Sequence, residues 1–427
     1  MTMTAPIEPA RIRNVVLVGP RDAGKTTLVE QLALATGALT RSGSVEEGTT
    51  LSETEDALSL VSVEWQGVRI NLLDTPGEAD VESEVRAGLR AADAALFVVS
   101  ADEGVDAATA MLWDECAAVS MPRAIVVTKA DRDRADVEAT VEECQLALGS
   151  DGGVLPVQLP LLSDDEQLAG ILDLVSQRIL DYSGGVRVER EPDPQHVDFI
   201  ADARAALLVA IIAGTEDDTL VGSFLGGGEI PAESLAASLD LAVARGQIHP
   251  VVVTATTPLG FGSLELLQVI TREFPSPLES PLPVVTASDG SPRVPLTCEP
   301  TGPLCVEVVR TSDDADGGRV SLVRVYSGTL HADATVHVAG HDRRDQAGVE
   351  RTREEHVGRI VSAPTPVTAL GAGDIGLVTG LPHVVVGDTL SSRELPLLLE
   401  PQVRPGGTAK PPLSGSPGRD GQGLDAT

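Results

Sequence analysis

Apolar residues fall in short runs separated by longer amphipathic stretches, and this alternation dominates the chain up to about residue 277. Val15-Val16-Leu17-Val18 is a continuous apolar run of strand length, and Thr27 to Ala35 follows it with leucines at 28 and 32 and a helical composition. The same order recurs downstream. Val68 to Leu73, Ala124 to Val127 and His249 to Val253 read as further buried strands, while Ala107 to Trp113 and Ala135 to Leu148 read as helices. Strands alternating with helices predict an α/β domain: a mostly parallel sheet covered by helices on both faces. Inside it, residues 151 to 247 read as a mostly helical insert.

From Pro281 the texture changes to short β-rich segments punctuated by Gly and Asp turns. Leu304 to Arg310 and Arg319 to Tyr326 flank an Asp-Asp-Ala-Asp-Gly-Gly turn and predict a hairpin, and the later strands up to residue 400 predict a small closed β-barrel. Beyond Glu400 the apolar rhythm stops. Eleven of the last 27 residues are proline or glycine, so 401–427 is expected to be a disordered tail.

Candidate chemistry sits at the ends of the predicted strands. Only three lysines occur, and two of them, Lys25 and Lys129, stand in such places. Gly19-Pro20-Arg21-Asp22-Ala23-Gly24-Lys25-Thr26-Thr27 fits Gly-x4-Gly-Lys-[Ser/Thr] between a strand and a helix, the context in which that pattern cradles phosphates. Glycines let backbone N–H groups converge on the anion, and the helix amino end adds a favourable dipole. Lys25 would bridge the terminal phosphates and Thr26 would ligate Mg²⁺. By itself this loop leaves ATP and GTP undecided. Asp74-Thr75-Pro76-Gly77 ends the next strand; there Asp74 can hold Mg²⁺ through water and the Gly77 N–H can sense a γ-phosphate. Taken singly, Asp-x-Pro-Gly is also a common turn.

Thr128-Lys129-Ala130-Asp131 follows a third strand. A carboxylate at Asp131 can accept from guanine N1–H and its exocyclic amine, a donor pair that adenine lacks, so this segment selects GTP. The Lys129 stem can lie along the base. Thr254 and Ala255 follow a fourth strand, where a backbone N–H could meet guanine O6.

These segments, in this order, resemble the nucleotide site of translational GTPases, and Arg11 to about Pro401 is similar to bacterial elongation factor G and its elongation-factor-G-like paralogues. Leu155-Pro156-Val157-Gln158-Leu159-Pro160 is similar to the opening of that family's insert, and Gly246 to Val251 and Phe274 to Pro277 to its domain's closing segments. Arg324 to Leu330, Gly371 to Gly376 and Val386 to Leu390 resemble its following barrel. The resemblance implies a GTP-binding domain over 11–280, a β-barrel over 281–400, GTP and GDP as ligands with Mg²⁺, hydrolysis of GTP, and the ribosome as partner. Asp22 to Thr27 would contact phosphate or cation, Asp74 and Gly77 would form the second switch, and Lys129 and Asp131 would read guanine.

Three departures bear on activity. The family continues Asp-Thr-Pro-Gly-His with a histidine that orients the attacking water; this chain has Glu78. Glu78 either repels the γ-phosphate, acts as a base with a raised pKa, or faces solvent. The first switch is shortened, with Thr54 nearest the place of the family's magnesium-ligating threonine. Thr128 replaces an asparagine, which is expected to loosen the tie to the phosphate loop. The expected outcome is GTP binding with slow hydrolysis; a binding module without turnover and an inactive truncated relative are the alternatives. The family's later domains, including the one used in translocation, have no counterpart after residue 400, which leaves a natural short form and a frameshift both open.

A net charge of −33 excludes general DNA coating, and 2% aromatic residues leave no platform for stacking bases. Four cysteines show no metal-binding spacing and read as buried thiols in a reducing compartment. With no signal-like start and no run of transmembrane length, the chain is expected to be cytoplasmic and monomeric.

Overall fold

The computed structural model describes residues 6–43, 49–52, 57–77, 82–149, 153–215, 217–226, 228, 230–287, 295–313, 318–340 and 353–400. Thr54, Glu78 and the 401–427 tail lie outside the described residues.

The apolar runs become the interior of one sheet. Its strands are β1 (Ile12–Val18), β2 (Ser59–Trp65), β3 (Val68–Asp74), β4 (Ala94–Ser100), β5 (Arg123–Thr128), β6 (Val154–Pro156) and, much later in the chain, His249–Val253, which is β11 in chain order. They lie in the order β2-β3-β1-β4-β5-β11-β6. All neighbours are parallel except β2, which runs antiparallel to β3 at the edge. Successive residues of a strand face opposite sides, so a run apolar at every position signals a sheet covered twice. In β4, Ala94, Leu96 and Val98 enter one core and Ala95, Phe97 and Val99 the other. On the first face lies α1 (Lys25–Ala35), which contributes Leu28 and Leu32; on the second lie α2 (Glu82–Ala91), α3 (Ala107–Ala118) and α4 (Val137–Leu148). Asp106 and Asp136 cap α3 and α4 by accepting from Thr109 N and Ala139 N, each such cap stabilising its helix by about 1 kcal/mol.

The region read as a mostly helical insert departs from that expectation in two ways. β6 belongs to the main sheet, paired with β11. A four-stranded antiparallel sheet then follows, built from β7 (Gln158–Leu162), β8 (Leu168–Asp173), β9 (Ile179–Asp181) and β10 (Val188–Arg190), before the helices α5 (Pro194–Gly214), α6 (Asp218–Leu225) and α7 (Ala232–Ala244). Strands of three residues, as in β6, β9 and β10, are too short to carry a period-2 signature. The domain closes with α8 (Ser263–Gln268) and a wider π-helical turn over Val269–Glu273.

The remaining strands are antiparallel: β12 (Val285–Ala287), β13 (Cys305–Asp313), β14 (Arg319–Ser327), β15 (Thr329–His331), β16 (Thr335–Ala339), β17 (Arg353–His356), β18 (Ile360–Ser362), β19 (Thr365–Val367), β20 (Ala369–Gly371), β21 (Ile375–Thr379), β22 (Thr389–Ser391) and β23 (Leu397–Leu399). The expected hairpin is β13–β14. Eight strands form one sheet, β17-β16-β22-β13-β14-β21-β18-β19, around an apolar core that includes Val306, Val323, Leu330, Val338 and Leu390. The domain is barrel-like, as the sequence predicted; among the described residues no pairing is recorded between the two end strands.

Buried polar groups join the two domains. Arg324 Nη2 lies 2.5 Å from Asp93 Oδ1 and its Nη1 donates to Ala91 O, with both side chains only 2% exposed. Asn14 donates to Gly373 O and Asn71 to Asp374 Oδ1, at 2.8 and 3.0 Å. Arg69 pairs with Asp374 at 2.9 Å. Glu84 in α2 accepts from Leu58 N at 3.0 Å and pairs with Arg310 of β13 at 2.5 Å.

Candidate functional site

A parallel sheet opens its ligand crevice beyond the strands' carboxyl ends. The loops after β1, β3, β5 and β11 meet there around a cavity of about 370 Å³, lined by residues that include Arg21, Asp22, Gly24, Lys25, Thr26, Thr27, Thr75, Gly77, Thr128, Lys129, Asp131, Thr254 and Ala255. These are sequence-predicted site residues. Gly19, Pro20, Ala23, Asp74 and Pro76 belong to the same loops but are not among the lining residues.

At the phosphate end the backbone is shaped by close approach. A Cβ on Gly19 would sit 2.3 Å from the Val98 carbonyl oxygen, so only glycine fits. Gly24 takes φ +93 as the residue before α1, and Asp22 takes φ +60. Lys25 Nζ donates to the carbonyls of Gly19 at 2.8 Å and Pro20 at 2.7 Å, holding the loop as a ring. Burial lowers the Lys25 pKa to about 8, against the pull of Asp74, Asp22 and Asp106. Such a buried amine is poised to gain from an arriving anion. Gly77 packs on the loop: a Cβ there would lie 2.5 Å from Arg21 N and 2.8 Å from Lys25 Nζ. Thr75 Oγ1 donates to Leu17 O at 2.6 Å and anchors this segment to β1.

Asp74 collects the cation chemistry. Its Oδ2 accepts from Thr26 Oγ1 and from Ser52 Oγ, both at 2.7 Å. Its Oδ1 is buried with no hydrogen-bond partner among the described residues. Burial raises the Asp74 pKa, opposed by the Ser52 and Thr26 hydroxyls and by Lys25. Two hydroxyls around a carboxylate with an orphaned oxygen form a hard, all-oxygen donor set that suits Mg²⁺. Where the sequence pointed to Thr54, the described residue reaching Asp74 from that stretch is Ser52. The sequence did not single out Glu30 either. Buried in α1, it accepts from Gly43 N at 2.7 Å and Leu51 N at 2.5 Å, gripping both sides of the segment between them.

At the base end, Asp131 Oδ2 accepts from Thr256 Oγ1 at 2.5 Å and Thr257 N at 2.9 Å, while Oδ1 has no described partner. The carboxylate is thus oriented through one oxygen, with acceptor capacity left on the other. Lys129 takes φ +57 and its Nζ lies 3.5 Å from Asp102 Oδ1. The expected loosening at Thr128 is not seen: its hydroxyl donates to Ala23 O at 2.5 Å, so the tie to the phosphate loop persists through a shorter side chain. The N–H groups of Thr254 and Ala255 donate to Val127 O at 2.8 Å and Phe261 O at 3.3 Å. Among the described residues no bond uses the neighbouring Thr256 N–H. Gln31 links α1 to this loop by donating to Ala255 O at 3.1 Å, and with Arg132 and Thr256 it lines the cavity. A polar residue on an otherwise apolar helix face is the only sequence signal for Gln31.

Residues 10–276 match the Elongation factor Tu GTP binding domain. The chain is 44% identical over 417 residues to an elongation factor G-like protein of Mycobacterium tuberculosis, covering 93% of this chain and 57% of that protein. It is 32% identical over 392 residues to elongation factor G 2 of Geobacter metallireducens, covering 89% of this chain and 55% of that protein. A crystal structure of a protein from Thermus thermophilus matches with a TM-score of 0.72 and 30% identity, over 90% of this chain and 54% of the other. The chain therefore spans little more than half the length of the curated relatives it matches. The matched domain covers both the phosphate and the base ends of the cavity, and the chain belongs to the translational GTPase family, with elongation-factor-G-like proteins among its relatives.

Proposed function

We propose that the chain binds GTP with Mg²⁺ and hydrolyses it slowly, in association with the ribosome and in the cytoplasm. The observation that carries the reading is Asp131, held by Thr256 and Thr257 through one oxygen while the other is left without a described donor at the base end of a phosphate-loop cavity. Guanine brings the N–H donors that satisfy such a carboxylate, and adenine does not. Lys25, Thr26 and the loop N–H groups would bind the phosphates, and Asp74, Thr26 and Ser52 would hold Mg²⁺. When bound, the ion would neutralise charge building on the phosphate oxygens. Lys25 would add a positive charge beside them, and the Gly77 N–H, on a segment packed against the loop, would register the terminal phosphate.

Slow turnover follows from Glu78, since a carboxylate carries no imidazole-like donor to orient water and repels the phosphate. The same substitution favours a second reading, a GTP-dependent binding module without turnover. Nucleotide titration with GTP and ATP, followed by single-turnover cleavage with and without ribosomes, tests both. GTP preference and slow cleavage are expected, with Glu78→His accelerating cleavage by about tenfold or more, the low side of a positioned acid–base group. A fast wild type unchanged by the substitution would overturn slow turnover; no cleavage under any condition would leave the binding module.

A further inference from the structure

A second cavity, of about 440 Å³, opens where the insert meets the closing helix of the GTP-binding domain. Its walls come from the β8–β9 segment, β10, α7 and the turn after α8. The charges on those walls are unbalanced. Asp173, Glu189, Glu233, Asp240 and Glu273 face two guanidiniums, Arg187 and Arg272. Both are already engaged, Arg187 with Glu265 at 2.7 Å and Arg272 with Asp240 at 3.1 Å.

Glu273 is the distinctive member. It is 9% exposed, it is among the residues lining the cavity, and its enclosed Oε2 has no hydrogen-bond partner among the described residues. Leaving such a group unsatisfied is unfavourable, so a buried orphan calls for a cause. Burial pushes the Glu273 pKa up to about 8, Asp240 and Asp173 push the same way, and Arg272 opposes them. Asp173 differs, for it already accepts from Ser176 N and Oγ at 2.6 and 2.7 Å.

Geometry narrows the ligand. No set of three His, Cys, Asp or Glu side chains among the described residues is gathered closely enough to hold a metal ion. The carboxylates are spread around a space that fits a molecule, and Val175, Leu180 and Leu239 supply apolar wall between them. A ligand complementary to separated carboxylates and intervening apolar surface carries separated ammonium groups on a methylene chain. We propose that this cavity binds a linear aliphatic polyamine, with one ammonium group on Glu273 and others on the acids of α7 and β10. Glu273 then gives up its proton to solvent as the ligand's charge arrives.

The test is calorimetric titration of the full chain with spermidine, without nucleotide, at about 0.15 M salt, where exposed charges are largely screened. A net charge of −33 attracts polyamines everywhere, so Glu138→Gln, which removes one exposed acid from α4, serves as the control. One saturable site is expected, weakened about tenfold or more by Glu273→Gln, as for loss of a charge-assisted hydrogen bond, and unaffected by Glu138→Gln. At neutral pH the wild-type heat should vary with the buffer's ionisation enthalpy, reporting proton release, and the Glu273→Gln heat should not. Non-saturable binding, equal weakening in both variants, or full competition by Mg²⁺ at matched charge would overturn the proposal. Should Glu273→Gln fail to fold, Asp240→Asn decides between the same outcomes.

Discussion

At the scale of single residues, two groups govern the nucleotide site through what surrounds them. Asp131 spends one oxygen on Thr256 and Thr257, while the other, the oxygen proposed to meet the base, has no described partner. Asp131→Asn replaces an acceptor by a donor facing the guanine N–H groups, so GTP affinity should fall about 10- to 100-fold, the worth of a hydrogen bond to a charged group. Fluorescent-nucleotide titration measures this, and unchanged affinity would place the base elsewhere. Lys25 supplies a pH dependence. Its pKa is lowered from the model-peptide range to about 8 by burial, and a bound phosphate favours the charged form. Nucleotide affinity should therefore decline as pH rises through about 8, with proton uptake on binding near that pH. For the free chain the sign is opposite. The burial penalty on charged Lys25 is full below about 8 and is relieved between there and the unfolded value, so this residue's contribution to stability improves as pH rises across that window. Titrations at three pH values with the free and bound chain separate the two effects.

At the scale of elements, α1 does more than present its amino end to phosphate. Its Lys25 closes the loop before it, its Glu30 grips the backbone at Gly43 and Leu51, and its Gln31 reaches the Ala255 loop. One helix thus ties together the phosphate loop, the first-switch stretch and the base loop. Glu30→Gln leaves one acceptor where two N–H groups point, so a loss of about 1–3 kcal/mol is expected. Urea unfolding measures it, and faster proteolysis between residues 43 and 51 should accompany it. If neither changes, Glu30 does not hold that stretch. The strand and helix pattern announced α1 as an element. Its lateral bonds were not legible, because Glu30 and Gln31 bond to partners brought near only by folding.

At the scale of the whole molecule, the GTP-binding and barrel-like domains share a buried polar seam. Arg324 reaches across it to Asp93 and the Ala91 carbonyl, and Asp374 is reached by Arg69 and Asn71. Breaking one side of a buried pair strands the other charge, which costs about 3–5 kcal/mol. Asp93→Ala should be destabilised by that amount in urea unfolding, where the wild type is expected to unfold with both domains in one transition. A loss below about 1 kcal/mol would mean that the pair behaves like an exposed one. Because Glu84 of α2 meets Arg310 of β13 across the same seam, the helix after the Asp74 segment is physically continuous with the second domain.

The α/β domain was legible because both its periodicities are local: fully apolar runs for strands covered twice, and phosphate-loop and base-reading segments at their ends. The proposed guanine choice rests on Asp131 for the same reason, since that chemistry belongs to one side chain and its position after a strand. Other features depended on distance in space. Three-residue strands such as β6 and β9 carry no pattern of their own and exist through their neighbours. Thr128 is tied to Ala23 because folding brings its hydroxyl within 2.5 Å of that carbonyl. Ser52, Gln31 and the acids around Glu273 acquired their partners in the same way. Sequence alone determined the long strands and helices of the α/β domain and its membership of a GTP-binding family, because these follow from period and residue type. Tertiary structure decided which polar atoms are paired and which are left over, because that depends on where the chain brings distant segments together.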